Sequence, residues 1–204
     1  MAKSKSSWIQ RHLNDPYVKK AQKQGFLSRA VYKLQEIQEK HPLIQPGMRV
    51  VELGAAPGGW SQYVAQMLKG RGTLIAVDLL EMVPLTDVFC IQGDFNAAHT
   101  LEQIRKLMAG QPLDLVLSDM APNITGMKAV DQARMVALAE AALSFAEETL
   151  KPGGDFFIKV FDGSGIKGLQ VALKKKFKQV SIEKPKASRA RSSEIYLLAK
   201  NFYL

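Results

Sequence analysis

Short apolar runs alternate along most of the chain with longer stretches in which apolar residues recur at three- and four-residue steps. "RVVEL" (49–53), "TLIAVD" (73–78), "VFCIQ" (88–92), "LDLVLSD" (113–119), "DFFIKVF" (155–161), "QVSIE" (179–183) and "IYLLAK" (195–200) are rich in β-branched and aromatic residues. Gly, Pro or Asp bound most of them, which predicts seven strands. Val136, Ala139, Leu143, Ala146 and Leu150 predict a helix over 131–150, stopped by "KPGG" at 151–154. Weaker helical patterns cover 59–69, 99–109 and 164–176. An earlier helix over about 27–40 places Leu27, Ala30, Val31, Leu34 and Ile37 on one arc, with Lys33 just beside it. Taken alone, Lys33 reads as an exposed helix lysine. Strand–helix alternation predicts an α/β fold, a mainly parallel sheet covered on both faces.

One residue breaks the pattern. Lys159 stands in the middle of "GDFFIKVFDG" (154–163), otherwise a buried strand. A lysine buried without a partner carries a large desolvation cost. Two readings follow: an edge strand whose ammonium reaches water, or an amine facing a working site.

Composition narrows the class. The 204 residues suit a single domain, 47% apolar and 23% charged as in ordinary soluble proteins. No apolar run is long enough to span a membrane, and the N-terminus lacks the apolar core of a signal peptide. A single cysteine, Cys90, excludes an internal disulfide framework and is compatible with a reducing cytoplasm, where a monomer is expected. His12, His41 and His99 are scattered without cysteine or acidic spacing, so no metal site is expected. The net charge of +9 is unevenly placed: residues 1–23 carry net +5 and residues 167–191 net +8, leaving −4 for the rest. Two basic margins around an acidic-to-neutral middle point to a polyanion, with Trp8 and Tyr17 available for stacking on bases. The N-terminal margin, about 1–25, reads as a mobile arm.

The stretch "VVELGAAPGGWSQYV" (50–64) is a strand, a glycine-rich turn and a helix start, and in an open α/β sheet ligands sit at that turn. It is not the dinucleotide fingerprint: Gly54 and Gly58 are one residue too far apart, and Pro57 removes an N–H that a pyrophosphate would use. Asp78 ends the second strand, where an acid takes both ribose hydroxyls, and Glu52 stands where it could orient the loop or meet a ligand ammonium. Asp94, in "QGDFN", either accepts from an adenine amino group or makes an Asx turn. In this order the set describes S-adenosylmethionine better than NAD.

"SRAVYKLQEI" (28–37), "ELGAAPGGWSQYV" (52–64), "VDLL" (77–80), "GDF" (93–95), "SDMAPN" (118–123), "FIKVF" (157–161) and "SSEIYLLA" (192–199) occur in one order. As a set they resemble the bacterial FtsJ/RrmJ (RlmE) family, 2′-O-ribose methyltransferases of large-subunit ribosomal RNA. The resemblance covers nearly the whole chain. It implies a Rossmann-like S-adenosylmethionine-dependent methyltransferase fold, a mostly parallel seven-stranded sheet with the last strand antiparallel. It implies S-adenosylmethionine as methyl donor and a uridine of the 23S rRNA A-loop, within the large ribosomal subunit, as acceptor. It also implies a catalytic tetrad on Lys33, Asp119, Lys159 and Glu194, and donor contacts at Gly58, Trp60, Asp78, Asp94 and Asp119. An Asp is common in the family where Glu52 stands. No metal is needed, because the leaving group is neutral methionine sulfur.

The tetrad suits methylation of a ribose hydroxyl, which must lose its proton as it attacks. Lys159 is the base or the hydroxyl-orienting group, Lys33 and Glu194 hold ribose and amine in line, and Asp119 bridges donor and Lys159. A general base has to be unprotonated at working pH, and lysine in water, near about 10.4, is not. Two alternatives stand beside this reading. "DMAP" (119–122) echoes enzymes that methylate base nitrogens, but Ala121 and Asn123 replace the proline and the stacking aromatic. The other is a non-catalytic RNA-binding or ribosome-assembly module on a methyltransferase scaffold. "GSG" (163–165) lacks the spacing and histidine partner of a serine hydrolase.

Overall fold

The computed structural model describes residues 14–189 and 192–203. In chain order the elements are α1 (Pro16–Gln24), α2 (Val31–Lys40), β1 (Arg49–Leu53), α3 (Gly59–Leu68), β2 (Thr73–Asp78), β3 (Phe89–Gln92), α4 (Ala98–Met108), β4 (Leu113–Ser118), α5 (Lys128–Thr149), β5 (Leu150–Phe161), α6 (Ile166–Lys174), β6 (Phe177–Glu183) and β7 (Glu194–Phe202). The strands form one sheet in the order β3-β2-β1-β4-β5-β7-β6. β1 to β5 pair in parallel, and β7 runs antiparallel to both β5 and β6. This is the expected seven-stranded sheet.

Period-two alternation sorts each strand's side chains between two cores. Val51, Leu53, Val116, Phe156, Ile158, Ile195 and Leu197 face α4, α5 and α6. Val50, Leu115, Leu117, Phe157, Tyr196 and Leu198 face α2 and α3, where Leu34, Ile37, Trp60 and Val64 cover them. The central strands are therefore apolar on both faces, and their runs read as continuous.

Differences from the expected elements have local causes. "KPGG" does end α5, yet β5 starts at once. Its register slips from Leu113↔Leu150 to Leu115↔Asp155, an irregularity that takes up three extra residues within 151–154. α2 starts at Val31 rather than 27, because Ser28 makes a turn in which its Oγ accepts from Ala30 N at 3.0 Å, leaving Leu27 largely exposed. Of the arm expected at about 1–25, residues 1–13, including Trp8, lie outside the described residues. Residues 16–24 form a helix: Asp15 accepts from Tyr17 N at 3.0 Å, Pro16 occupies the first helical position, and Gly25 closes the helix at φ 74°.

Glu183, at the end of β6, fastens the sheet edge to α2. Lys40 Nζ donates to it at 2.7 Å, His41 Nε2 lies at 2.9 Å and Ser181 Oγ donates at 3.0 Å. Burial opposes the charge on Glu183, but the bonds from Lys40, Ser181 and His41 outweigh it and hold the carboxyl below the ordinary glutamate range. A carboxylate held low stabilises the fold above its unfolded value of about 4.3, and that stabilisation is lost as pH falls through the lower folded value. Glu183→Gln is therefore expected to lower stability at pH 7 by about 1–3 kcal/mol and to lose less on acidification than wild type. Urea unfolding at a series of pH values checks this; parallel acid slopes for the two proteins would remove Glu183 from the linkage.

Candidate active site

The alternation that builds the core also collects the polar groups. Lys159 shares a face of β5 with Phe157, Glu52 shares a face of β1 with Val50, and Glu194 shares a face of β7 with Tyr196. All of these look toward α2, which carries Lys33. The sheet pairs Lys159 with Tyr196 and Phe161 with Glu194, so the start of antiparallel β7 lies beside the end of parallel β5. Asp119 follows β4 directly, its N–H donating to Leu53 O at 3.1 Å. Four residues distant in sequence thus meet at the carboxyl edge of the sheet.

Lys159 is buried in a central strand, which disposes of the edge-strand reading. Its Nζ donates to the Asp119 carbonyl oxygen and lies 3.2 Å from Asp119 Oδ1. Phe157 packs on its face, whereas Phe161 turns to the opposite core. Lys33 Nζ is 2.6 Å from Glu194 Oε1, and both side chains are mostly buried, so Lys33 is no exposed helix lysine. Tyr196 links the two pairs: its hydroxyl contacts Asp119 Oδ1 at 3.0 Å and Glu194 Oε1 at 3.3 Å. Burial opposes ionisation of Glu194, but the Lys33 charge and hydrogen bond, with Lys159 and Ser188, hold its carboxyl below the usual range. Burial, then Asp119 and Glu194, push the Tyr196 phenol well up, so it stays a donor. Tyr196 is the residue that sequence reasoning missed. The available signal was its position two residues after Glu194 on the same strand face.

A cleft of about 520 Å³ opens beside Asp119. Asp78, Asp94, Gly54, Ala56, Phe95 and Asn123 are among its walls. Asp78 accepts Ala56 N at 2.9 Å on one oxygen and Leu80 N at 2.8 Å on the other, which fixes the carboxylate and leaves lone pairs free on both. Asp94 makes the Asx turn, accepting Asn96 N at 2.9 Å, and lines the cleft as well. Gly58 and Trp60 are not among the lining residues. A Cβ on Gly58 would meet Leu85 and Leu27 at 3.1 and 3.2 Å, so the loop packs under apolar cover there. Trp60 is a core residue: its ring stacks on Phe157 with centroids 5.7 Å apart, and its Nε1 donates to Ala30 O at 2.8 Å. Gly54 serves the fold as much as any ligand, because a Cβ would lie 2.8 Å from Met120 Cα.

Glu52 turns away from this cleft. Its carboxyl is fully buried and takes a 2.5 Å hydrogen bond from Ser61 Oγ on α3, tying β1 to the helix behind the glycine loop. Burial raises its pKa to about 8, Ser61 acts the other way, and Asp119 and Asp78 raise it further, so the group is largely protonated at pH 7. A neutral acid there holds the loop without adding a third negative charge beside Asp78 and Asp119.

A second cleft, about 300 Å³, lies on the other side of the tetrad, lined by Ser28, Arg29, Ala30, Lys33, Arg189, Ser192 and Glu194. Asp119 lines the first cleft, Lys33 and Glu194 line the second, and Lys159 sits buried between them. The basic stretch 167–191 proves to be two surfaces. Lys186 and Arg189 belong to the loop that leads into Glu194, whereas Lys174 and Lys175 precede β6 at the opposite end of the sheet. At ~3.3 Å per residue the seven residues of β6 separate them by roughly 20 Å. Tyr17, offered for stacking, packs instead on Tyr32 at 5.5 Å between centroids. Among the described residues no group of His, Cys, Asp and Glu has metal-binding geometry, and no helix is long and apolar enough to cross a membrane.

Known proteins resemble the chain over its whole length. The chain is 56% identical over 99% of its length to Ribosomal RNA large subunit methyltransferase E of Dichelobacter nodosus, covering 98% of that protein. It is 52% identical to the protein of the same name from Legionella pneumophila (strain Corby), with both chains covered completely. A crystal structure from Plasmodium falciparum, assigned as a ribosomal RNA methyltransferase, superposes with a TM-score of 0.80 at 30% identity, covering 87% of this chain and 98% of that one. The profile of FtsJ-like methyltransferases matches residues 26–202, from the turn before α2 to the end of β7. With its tetrad flanked by two clefts at the carboxyl edge of the sheet, the chain belongs to the FtsJ-like methyltransferase family.

Proposed function

We propose that this chain transfers a methyl group from S-adenosylmethionine to the ribose 2′-hydroxyl of a uridine in 23S rRNA of the large ribosomal subunit. It acts as a single cytoplasmic methyltransferase domain and as a monomer. The observation that carries the reading is the placement of the Lys33, Asp119, Lys159 and Glu194 cluster between an aspartate-lined cleft and a cation-lined one. The whole-length similarity to proteins named Ribosomal RNA large subunit methyltransferase E supports the large subunit as substrate.

The first cleft fits the donor. Its volume falls in the usual range for small-molecule sites. Asp78 offers two oriented carboxylate oxygens to a ribose diol, and Asp94 and Asn123 supply polar groups farther along the wall. S-adenosylmethionine, when bound, supplies an electrophilic methyl group on a sulfonium and leaves as a neutral thioether. The chain does the rest. Asp119 takes the Lys159 amine on its carbonyl and carboxylate oxygens, fixing the nitrogen between the clefts. Lys159 accepts or orients the proton of the ribose hydroxyl, and Lys33 and Glu194, paired across the second cleft, hold the sugar. Tyr196 locks the spacing of the two carboxylates. A non-catalytic module has no use for an amine desolvated at the meeting point of two clefts.

If Lys159 acts by taking a proton, its charge must be removable, and arginine in its place keeps the charge but cannot lose it. Lys159→Arg should therefore lose nearly as much single-turnover methyl transfer as Lys159→Ala, ~10²-fold or more, with donor binding retained in both. Near-wild-type transfer by the arginine variant would reassign Lys159 to charge and position. Asp78→Ala should weaken S-adenosylmethionine binding by on the order of 1.5–3 kcal/mol, read by calorimetry; an unchanged affinity would take Asp78 out of the donor site. The two basic surfaces should also separate. Lys186→Gln with Arg189→Gln should flatten the salt dependence of RNA binding by about one per lost phosphate contact, more than Lys174→Gln with Lys175→Gln. The reverse order would place the RNA at the far end of the sheet.

A further inference from the structure

The loop between β6 and β7 (residues 184–193) delivers Glu194, and α2 holds it. Glu36 lies one turn after Lys33 on that helix. Its two carboxylate oxygens accept adjacent backbone donors, Lys186 N at 2.6 Å and Ala187 N at 2.9 Å. The Ala187 carbonyl is taken by the guanidinium of Arg29, which also pairs with Asp15 at the cap of α1. Ala187 is thus gripped at both its N–H and its C=O, and its methyl group is fully buried against Ala21, Val31 and Tyr32. The next residue, Ser188, donates its hydroxyl to Glu194 Oε1 at 3.0 Å, the same oxygen that lies 2.6 Å from Lys33 Nζ.

We infer that Glu36 is a positioning residue for methyl transfer: by clamping Lys186 and Ala187 it presents Ser188 to Glu194 and so aligns Glu194 with Lys33. The inference rests on the reaction proposed above, but the alignment is a property of the chain alone. One helix carries both Lys33 and the acid that fixes the distance to its partner. Moving the loop by a fraction of an ångström would therefore separate the pair without disturbing the donor cleft, where no atom of Glu36, Ser188 or Arg29 lies. The clamp matters because Glu194 begins its strand, where the one backbone bond of the residue just before it is Asp162 N to Ser193 O at 2.7 Å among the described residues. Its backbone N–H is taken by Ser192 Oγ at 3.1 Å.

The test compares wild type with Glu36→Ala, Glu36→Gln, Ser188→Ala and the Glu36→Ala/Ser188→Ala double variant. Single-turnover methyl transfer is measured on large ribosomal subunits from cells lacking the enzyme, donor affinity by calorimetry, and the Glu194 carboxyl titration by carbon NMR. The groups that act on that carboxyl are Lys33, Lys159, Ser188 and Tyr196, with Arg29 and Arg189 lining the same cleft. Glu36→Ala is expected to slow transfer by ~10-fold or more at unchanged donor affinity, with Glu36→Gln in between. Glu194 should titrate at higher pH, because it loses the Ser188 bond and its alignment with Lys33. The double variant should be no slower than the slower single variant, since both changes break one chain of contacts. Additive losses, an unmoved Glu194 titration, or donor affinity falling in step with rate would each overturn the inference. Should Glu36→Ala not fold, Ser188→Ala carries the same test, and an unshifted Glu194 there rejects it. The titration needs no substrate: wild-type protein inert on the subunit would defeat the proposed reaction, while the titration would still decide the clamp.

Discussion

An amine buried at the end of a central strand must be satisfied where it lies, and the site is organised around that requirement. Lys159 cannot reach water past β4 and β7, so its hydrogen bonds have to come from the protein. Asp119 supplies both a carbonyl and a carboxylate oxygen. That carboxylate then needs its own support, which Tyr196 provides, and the same hydroxyl reaches Glu194, already paired with Lys33. The result is a connected network in which two lysine amines and two carboxyl groups face one another around a phenol. Removing one member would leave another buried and unpaired.

The surroundings of the network keep charge where it is useful. Four acids, Glu52, Asp78, Asp94 and Asp119, gather near the glycine loop, which would be repulsive if all were ionised. Glu52 relieves this by burial, which holds it as a neutral acid bonded to Ser61. Asp78 takes the N–H groups of Ala56, in the glycine loop, and of Leu80, and Asp94 takes that of Asn96, so both carboxyls are held in orientation. Across the tetrad the second cleft reverses the sign with Arg29, Lys33 and Arg189. In the reaction proposed above, a cationic sulfonium donor and a phosphate-bearing acceptor would use separate entrances of opposite charge, one on each side of the tetrad.

Loops carry much of this site, and each is fastened by a side chain from a rigid element. Asp131 at the start of α5 accepts Thr125 N at 2.8 Å and Gly126 N at 3.1 Å, fixing the loop after β4. Its neighbour Gln132 donates to Asp162 O at 2.8 Å, fixing the loop after β5. Glu36 and Arg29 do the same for the loop before β7. Asp131, Gln132 and Glu36 stand on helices packed on the two cores, and Arg29 on the turn just before α2, so each loop is tied to a rigid support.

The sequence by itself determined the strands, the principal helices and the fold class, because period-two and helical spacings are local and the central strands are apolar throughout. Lys159 and Asp78 also stand out by residue type, in an apolar strand and at a strand end, whereas Lys33, Asp119 and Glu194 joined Lys159 as a set only through the family resemblance. The α1 helix was legible in Asp15, Pro16 and Gly25 but hidden by its charged composition. Only the tertiary structure decided the rest. Trp60 lies in the core because α3 turns its ring toward Phe157, away from the donor cleft. Glu52 is pushed toward the neutral form because α3 and the sheet bury it, even though Ser61 favours its charge. Tyr196 became the link because β7 runs antiparallel to β5 and brings it opposite Lys159. The basic tail divided in two because β6 carries the chain from one end of the sheet to the other. Each of these depends on which element packs against which, and such long-range contacts leave no periodicity in the chain.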